Sequence, residues 1–269
     1  LDYMSDAYID YIAKFKPDST ASNPDSNWRL WNYFGIERGF VYMSVAGNQA
    51  LVTPHVTQYP AQHDYGWSGR PEPGYPIPDT AHITSGWMEP GTSDRHMIIV
   101  DRDNWVLYET WQTQWQPNGD AGHAAAHWDV GVGAVFDLSV EPSRPAGRTS
   151  ADAAGLPILA GLIRYDEVAS GEVNHAFRVV VWKTNGYVWP ANHSSCSLEG
   201  PPLGMHMRLK ASVNTDSIYA SSAYMRTICR AMKKYGLIIA DEGGSFNVCG
   251  TLDIERTTLV GDDEAILLH

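Results

Sequence analysis

Histidines and carboxylates carry the chemistry this sequence can offer. Ser93-Asp94-Arg95-His96 sets an acid, a cation and an imidazole where a Gly/Pro-rich loop enters a β-rich run. Arg164-Tyr165-Asp166-Glu167 leaves another such run with two adjacent carboxylates. Neighbouring side chains of an extended chain face opposite ways, so only one of that pair serves a given groove. Glycosidic bond cleavage uses two carboxyl groups flanking the bond, one a proton donor and the other a base or nucleophile. Asp94, Glu109, Asp137, Asp152 and Glu167 are the candidates, and Asp94 with Glu167 is the pair expected to act.

His96, His175 and His193 each lie on or beside a β-rich run, placed to act as a general base or to converge on a metal ion. Ordinary hydrogen-bonded structural histidines fit the same pattern. His123 and His127 are four residues apart, a spacing that puts two imidazoles on one face of a helical turn, but Gly119, Asp120, Gly122 and Asp129 around them read as a loop. No cofactor is expected beyond a metal held by His96, His175 or His193. The sequence has no Walker loop, GxSxG elbow, HExxH, CxxC or EF-hand loop, and Gly131-Val132-Gly133 lacks the third glycine and helix of a dinucleotide site.

The elements that must position these residues read as strands. His96–Val100 and Trp105–Thr110 flank Asp101-Arg102-Asp103-Asn104, turn chemistry that predicts a hairpin. Further strand runs are Phe40–Val45, Leu51–Val56, Val130–Leu138, Leu159–Tyr165, His175–Trp182, Met205–Val213, Leu237–Ala240 and Phe246–Cys249. Between Asn48 and Gly91, seven prolines forbid long regular elements, so 48–91 reads as an extended loop region. Helical spacing predicts a short N-terminal helix over 3–16, stopped by Pro17, and an amphipathic helix over Tyr219–Tyr235, stopped by Gly236. Many short strands with Gly/Pro punctuation imply a mainly β fold, a single jelly-roll-like β-sandwich domain over 1–269.

Alternation assigns faces. In 205–212, Met205, Met207, Leu209 and Ala211 point one way and His206, Arg208, Lys210 and Ser212 the other; in 175–182, Arg178 and Trp182 oppose Phe177, Val179 and Val181. Arg178, Trp182, Arg208 and Lys210 would then line a groove together, or simply form a solvated face.

Composition bounds the partners. The 269 residues carry 19 Lys+Arg against 31 Asp+Glu, a net charge of −12, which lacks the positive field that holds a phosphate backbone. Nucleic acid is therefore not an expected partner. No apolar run approaches the roughly 20 residues that cross a bilayer, so no membrane partner is expected either. The chain starts at Leu1, without an apolar leader, which reads as a processed chain or a fragment. Cys196, Cys229 and Cys249 permit one disulfide of undetermined pairing, and Asn192-His193-Ser194 is a glycosylation sequon. Ten Trp and 14 Tyr supply flat amphipathic rings suited to sugars, although most such rings belong to cores.

Several motifs together resemble one family. They are Asp94-Arg95-His96, the run from Thr149-Ser150-Ala151-Asp152 through Arg164-Tyr165-Asp166-Glu167-Val168, Asn174-His175-Ala176-Phe177-Arg178, Tyr187-Val188-Trp189-Pro190, Arg208-Leu209-Lys210-Ala211-Ser212, and Lys234-Tyr235-Gly236 with Ala240-Asp241. This set, spanning about 90–250, resembles a widespread, largely uncharacterised family of secreted microbial proteins found beside carbohydrate-active modules. The resemblance implies a secreted, extracellular, glycan-related role and supplies no assigned catalytic residues. The stretch from Trp111 to Trp128 is longer and more polar here, so His123 and His127 are not carried over from that family.

The expectation is a secreted polysaccharide-degrading enzyme, a glycoside hydrolase with Asp94 and Glu167 as its acid/base pair and Trp128, Trp182 and Trp189 stacking on sugar. A lyase is the alternative, in which Arg178, Arg208 and Lys210 neutralise a uronate while His96 or His175 removes a proton. A noncatalytic carbohydrate-binding protein is the third reading.

Overall fold

The computed structural model describes residues 7–9, 11, 31–35, 39–84, 94–141, 144–195, 197–243 and 246–252. The expected hairpin forms: β4 (Met97–Asp101) pairs antiparallel with β5 (Val106–Trp111), Met97 opposite Thr110 and Asp101 opposite Val106. Asp101 builds the turn, accepting from the backbone N–H groups of Asp103 and Asn104 and from Arg70. Those three donors satisfy a carboxylate that is fully buried.

This hairpin is the centre of a four-stranded sheet. β2 (Tyr42–Val45) lies parallel to β4, and β8 (Val132–Asp137) antiparallel to β5. A three-stranded sheet has the order β3 (His55–Val56), β7 (His127–Val130), β6 (Gln114–Gln116). The third sheet runs β1 (Trp31–Gly35), β12 (Asn247–Leu252), β9 (Phe177–Val181), β11 (Leu237–Glu242), β10 (His206–Met207). The protein is mainly β, and its pairing is mixed: β1/β12, β9/β11, β2/β4 and β3/β7 are parallel.

Both faces of the two larger sheets are covered, which explains why β4 is apolar from Met97 to Val100 and β9 is apolar but for Arg178. Ile98, Leu107, Ala134 and Phe136 of the four-stranded sheet share one apolar cluster with Val180 and Cys249 of the five-stranded sheet, with Ile158 and Leu162 joining them. On its other face the four-stranded sheet buries Met97, Ile99, Val106 and Tyr108 against Tyr75, Ile77 and Trp128. The far face of the five-stranded sheet, with Phe177, Val179, Val181 and Ile239, packs on helices α1 (Tyr165–Ser170) and α3 (Ala223–Lys234). Each such fully buried side chain contributes about 1.5–3 kcal/mol relative to exposure.

Helix α3 is the amphipathic helix expected across 219–235, trimmed at its start because Ser222 caps it, accepting from the Met225 N–H. The short α2 (Thr215–Ile218) precedes it. Gly236 follows with φ +83°, and a Cβ there would meet the Met207 carbonyl oxygen at 2.3 Å, so the stop is fixed by conformation and by space.

Three expectations need correction. Leu159–Tyr165 is not a strand but a 3-10 turn at Leu159–Gly161 leading towards α1, because the buried Glu109 carboxylate binds the N–H groups of Ile158 and Leu159 and curls the chain. Met205–Val213 is a strand only at His206–Met207: the Leu209 N–H goes to the Met232 carbonyl, and a turn from Lys210 to Val213 ends the extended segment. The face of β9 bearing Arg178 is not outward, since Arg178 is only 4% exposed. Of the N-terminal helix, residues 7–9 and 11 are helical and the rest of 3–16 lies outside the described residues.

Candidate functional site

The most concentrated set of ionisable groups lies between the two larger sheets. Arg178 on β9 donates from Nε and Nη2 to the two carboxylate oxygens of Asp152 at 3.0 and 2.7 Å, and from Nη1 to the Cys249 sulfur. Burial alone would lower the Arg178 pKa, but Asp152 holds it well above its ordinary value, so the guanidinium stays charged. Glu109 sits close enough to feel both charges, and burial pushes its carboxyl up to about 7 against the pull of its two backbone donors.

A β-bulge brings the next group in. β11 pairs in register with β9 through Ile239 opposite Val179, then shifts so that Asp241 rather than Ala240 opposes Val180. Paired residues share a face, so the extra residue turns Asp241 to the side of Val180 and Arg178. Its carboxylate oxygen lies 3.5 Å from Arg178 Nη2, and a quarter of its side chain reaches solvent. Burial, then the charge of Asp152, hold its carboxyl well above the ordinary range. Asp241 is thus a carboxyl that holds its proton more tightly than usual and has an outlet to solvent.

Asp94 and His96 enter from the other sheet. Asp94 is exposed and accepts from the Trp111 indole N–H at 2.9 Å. Between them, Arg95 has φ +45°, and facing it Gln112 has φ +54°; Arg95 Nη2 binds the Gln112 amide oxygen at 2.5 Å. Left-handed backbone at two non-glycine residues is a strained arrangement of the kind found at functional sites. His96 is buried beside the Phe40 ring, centroids 5.2 Å apart. Burial pushes its pKa down to about 4, and Asp94, Arg178, Asp152 and the Thr110 carbonyl are the groups that act on it. Its Nδ1 is buried and lacks a hydrogen-bond partner, which leaves a neutral ring with an unshared lone pair.

The other expected residues lie apart. Glu167, in the first turn of α1, binds Arg164 at 2.5 Å and His175 Nε2 at 3.0 Å, and no contact joins it to Asp94. His175 also meets the Ala176 carbonyl, and His193 Nδ1 the Ala153 carbonyl, so His96, His175 and His193 do not gather round one point. Trp128 is 8% exposed and packs on Trp115 in the core. Arg208 binds the Lys234 carbonyl, where a cation complements the helix C-terminus, and His206 meets the Tyr235 carbonyl. Lys210 is exposed and Trp182 half-buried. Trp189 is 81% exposed, and its chain neighbours Tyr187 and Val188 are exposed beside it.

Asp241 is the site residue that functional reasoning from sequence missed. The only signal was its place among the motif residues, since the bulge that aims it has no glycine to announce it. Among the described residues, the one group of side chains able to hold a metal is His55, Asp120, His123 and His127, on and beside the three-stranded sheet. A separate cleft of about 690 Å³, lined by His63, Asp64, Trp67, Arg144 and Arg148 among others, includes Asp137 of the candidate carboxylates and none of the other expected site residues. No protein-family model matches this chain, and neither does any curated protein or solved structure, so its chemistry is argued from these side chains alone.

Proposed function

We propose that the chain is a glycan hydrolase acting on an extracellular polysaccharide, with Asp241 as general acid and Asp94 as the partner carboxylate. The observation that carries this reading is the bulge in β11, which turns the Asp241 carboxyl to the Arg178 side of the sheet, where the charge of Asp94 reaches it. Two carboxyl groups in unlike environments, one desolvated and one exposed, are the requirement for acid–base cleavage of a glycosidic bond. His96 provides a neutral acceptor beside Asp94, and Arg178 with Asp152 forms the fixed floor. Trp189 and Tyr187 are the rings available to lie against sugar. The apolar cluster shared by the two larger sheets supports reading them as a β-sandwich.

Hydrolysis is favoured over β-elimination because two of the three cations expected to neutralise a uronate are engaged, Arg178 by Asp152 and Arg208 by the end of α3. A binding-only role is the second reading, favoured by the exposed patch at Tyr187–Trp189. Incubation with a panel of polysaccharides, read by product mass spectrometry, separates the three. Products that gain one water support the hydrolase, unsaturated products formed with no water added, one water lighter than the hydrolytic ones, point to the lyase, and retention on a glycan without products leaves the binding protein.

A further inference from the structure

We propose that His55, His123, His127 and Asp120 form a binding site for a divalent transition-metal ion of the zinc class, independent of the acid–base site. One ligand atom from each of the four lies within 4.8 Å of those of the others. Ligand atoms on a tetrahedral zinc ion, with bonds of about 2.0–2.1 Å, are about 3.3 Å apart. Two of the four residues are exposed and two half-buried, so the closure is a small rotation of side chains with room to move.

The strands set two of the ligands. β3 and β7 pair in parallel with His55 opposite Asp129, and His127, two residues before Asp129, shares its face of β7. Asp129 then orients His55: one carboxylate oxygen meets His55 Nδ1 at 2.8 Å while the other accepts from Gln116 Nε2 at 2.7 Å. With Nδ1 donating to a carboxylate, His55 keeps Nε2 for an ion, the arrangement by which second partners fix metal-binding histidines.

His127 supplies the strongest evidence. Its Nδ1 lies 2.9 Å from the Ala125 carbonyl, which can only accept, so Nδ1 carries a proton and Nε2 is the atom left to face an ion. That Nε2 atom is buried with no hydrogen-bond partner, and it faces Asp129 at 3.3 Å and Asp120 at 3.6 Å. Two carboxylates set against that ring nitrogen favour a cation among them. A proton would serve His127 alone and would add charge to a trio of rings whose centroids are only 4.1, 4.9 and 5.9 Å apart. One metal ion serves all three imidazoles and Asp120 at once.

The loop is shaped to present the other two ligands. Asp120 accepts from the N–H groups of Gly122 and His123 at 2.7 and 2.8 Å, and its own N–H returns to the His123 carbonyl. Gly119, at φ +69°, lets this turn close: a Cβ there would lie 2.3 Å from the His123 carbonyl oxygen. Three imidazoles and one carboxylate suit zinc, copper or nickel rather than calcium or magnesium, which take oxygen ligands.

The test uses the full chain, stripped by chelator and titrated with zinc chloride in a calorimeter and with cobalt chloride in a spectrometer. The expected result is one equivalent of zinc and the intense visible bands of tetrahedral cobalt. Both should be lost in His123→Ala, an exposed position whose circular dichroism should match the parent, and both retained in His175→Ala. Asp129→Asn should weaken zinc by about 10–100-fold. No saturable equivalent, or an equivalent that survives both His123→Ala and His127→Ala, overturns the proposal.

Discussion

The charged centre between the large sheets and the histidine cluster of the small sheet solve opposite problems. In the first, the charged groups are answered from within the protein: Arg178 by Asp152, Glu109 by two backbone N–H groups, Asp241 by Arg178 and the Glu242 N–H. In the second, three imidazole rings and the carboxylates of Asp120 and Asp129 converge on one another. A buried ion pair is weak evidence for stability, but removal of one partner is costly because the other charge is stranded. A set of unanswered donors instead calls for something from outside. On the proposed reading, the closed centre is a scaffold for a reactive rim at Asp94 and Asp241, and the open cluster is the receptor for an ion.

The sharpest way to break this contrast is to strand a charge in the closed centre. Arg178→Met should cost about 3–5 kcal/mol in urea unfolding, with most of that recovered when Asp152→Leu is added. His123→Ala, measured without metal, should stay within about 0.5 kcal/mol of the parent. Equal losses at the two positions would erase the distinction.

Smaller in effect is the pH response. His63 and His96 are both held neutral by burial down to about 4, against an ordinary 6.5, so unfolding takes up protons in that window. Their contribution is present above 6.5 and is lost as pH falls towards 4. Glu109, raised to about 7 from 4.5, works the other way, its contribution being lost as pH rises through 7. His96→Asn should therefore flatten the rise of unfolding free energy across pH 4–6.5 by one proton's worth of slope, an outcome that a series of urea titrations reads directly. An unchanged slope would place His96 among ordinary solvated histidines.

Within the open cluster, Gly119→Ala forces a left-handed residue with a Cβ against a carbonyl oxygen, a local strain of about 1–3 kcal/mol. Zinc affinity should fall at least as far as in Asp129→Asn. The smallest expected change is in Trp189→Ala, which should move unfolding by less than about 0.5 kcal/mol, since 81% of that side chain is in solvent. Its effect should appear instead as weaker retention on a glycan column.

Periodicity and turn chemistry made some of this legible in advance. The β4–β5 hairpin was readable from Asp101–Asn104, and α3 from its apolar spacing and Gly236, because both are decided by neighbours in sequence. Leu159–Tyr165 looked like a strand because its composition is apolar, and it became a turn because a carboxylate some fifty residues earlier captured its N–H groups. Arg178 looked outward by alternation, which presumes that one face of the strand is wet; here a second sheet covers that face. Trp128 was taken for a sugar platform by residue type, and packing made it core. His123 and His127 were noticed for their spacing, but their third partner, His55, comes from a parallel pairing of distant strands that no local pattern reveals.

The central claim is that Asp241 delivers a proton to a glycan. The most direct measurement is the cleavage rate of Asp241→Asn on whichever polysaccharide the parent cuts, beside the unfolding midpoint of both proteins. Asparagine keeps the shape and neutrality of the protonated acid, so the midpoint should hold while turnover falls by about 10²–10⁴-fold, the worth of a general acid. A variant that folds like the parent and cleaves at the parent's rate would contradict the assignment.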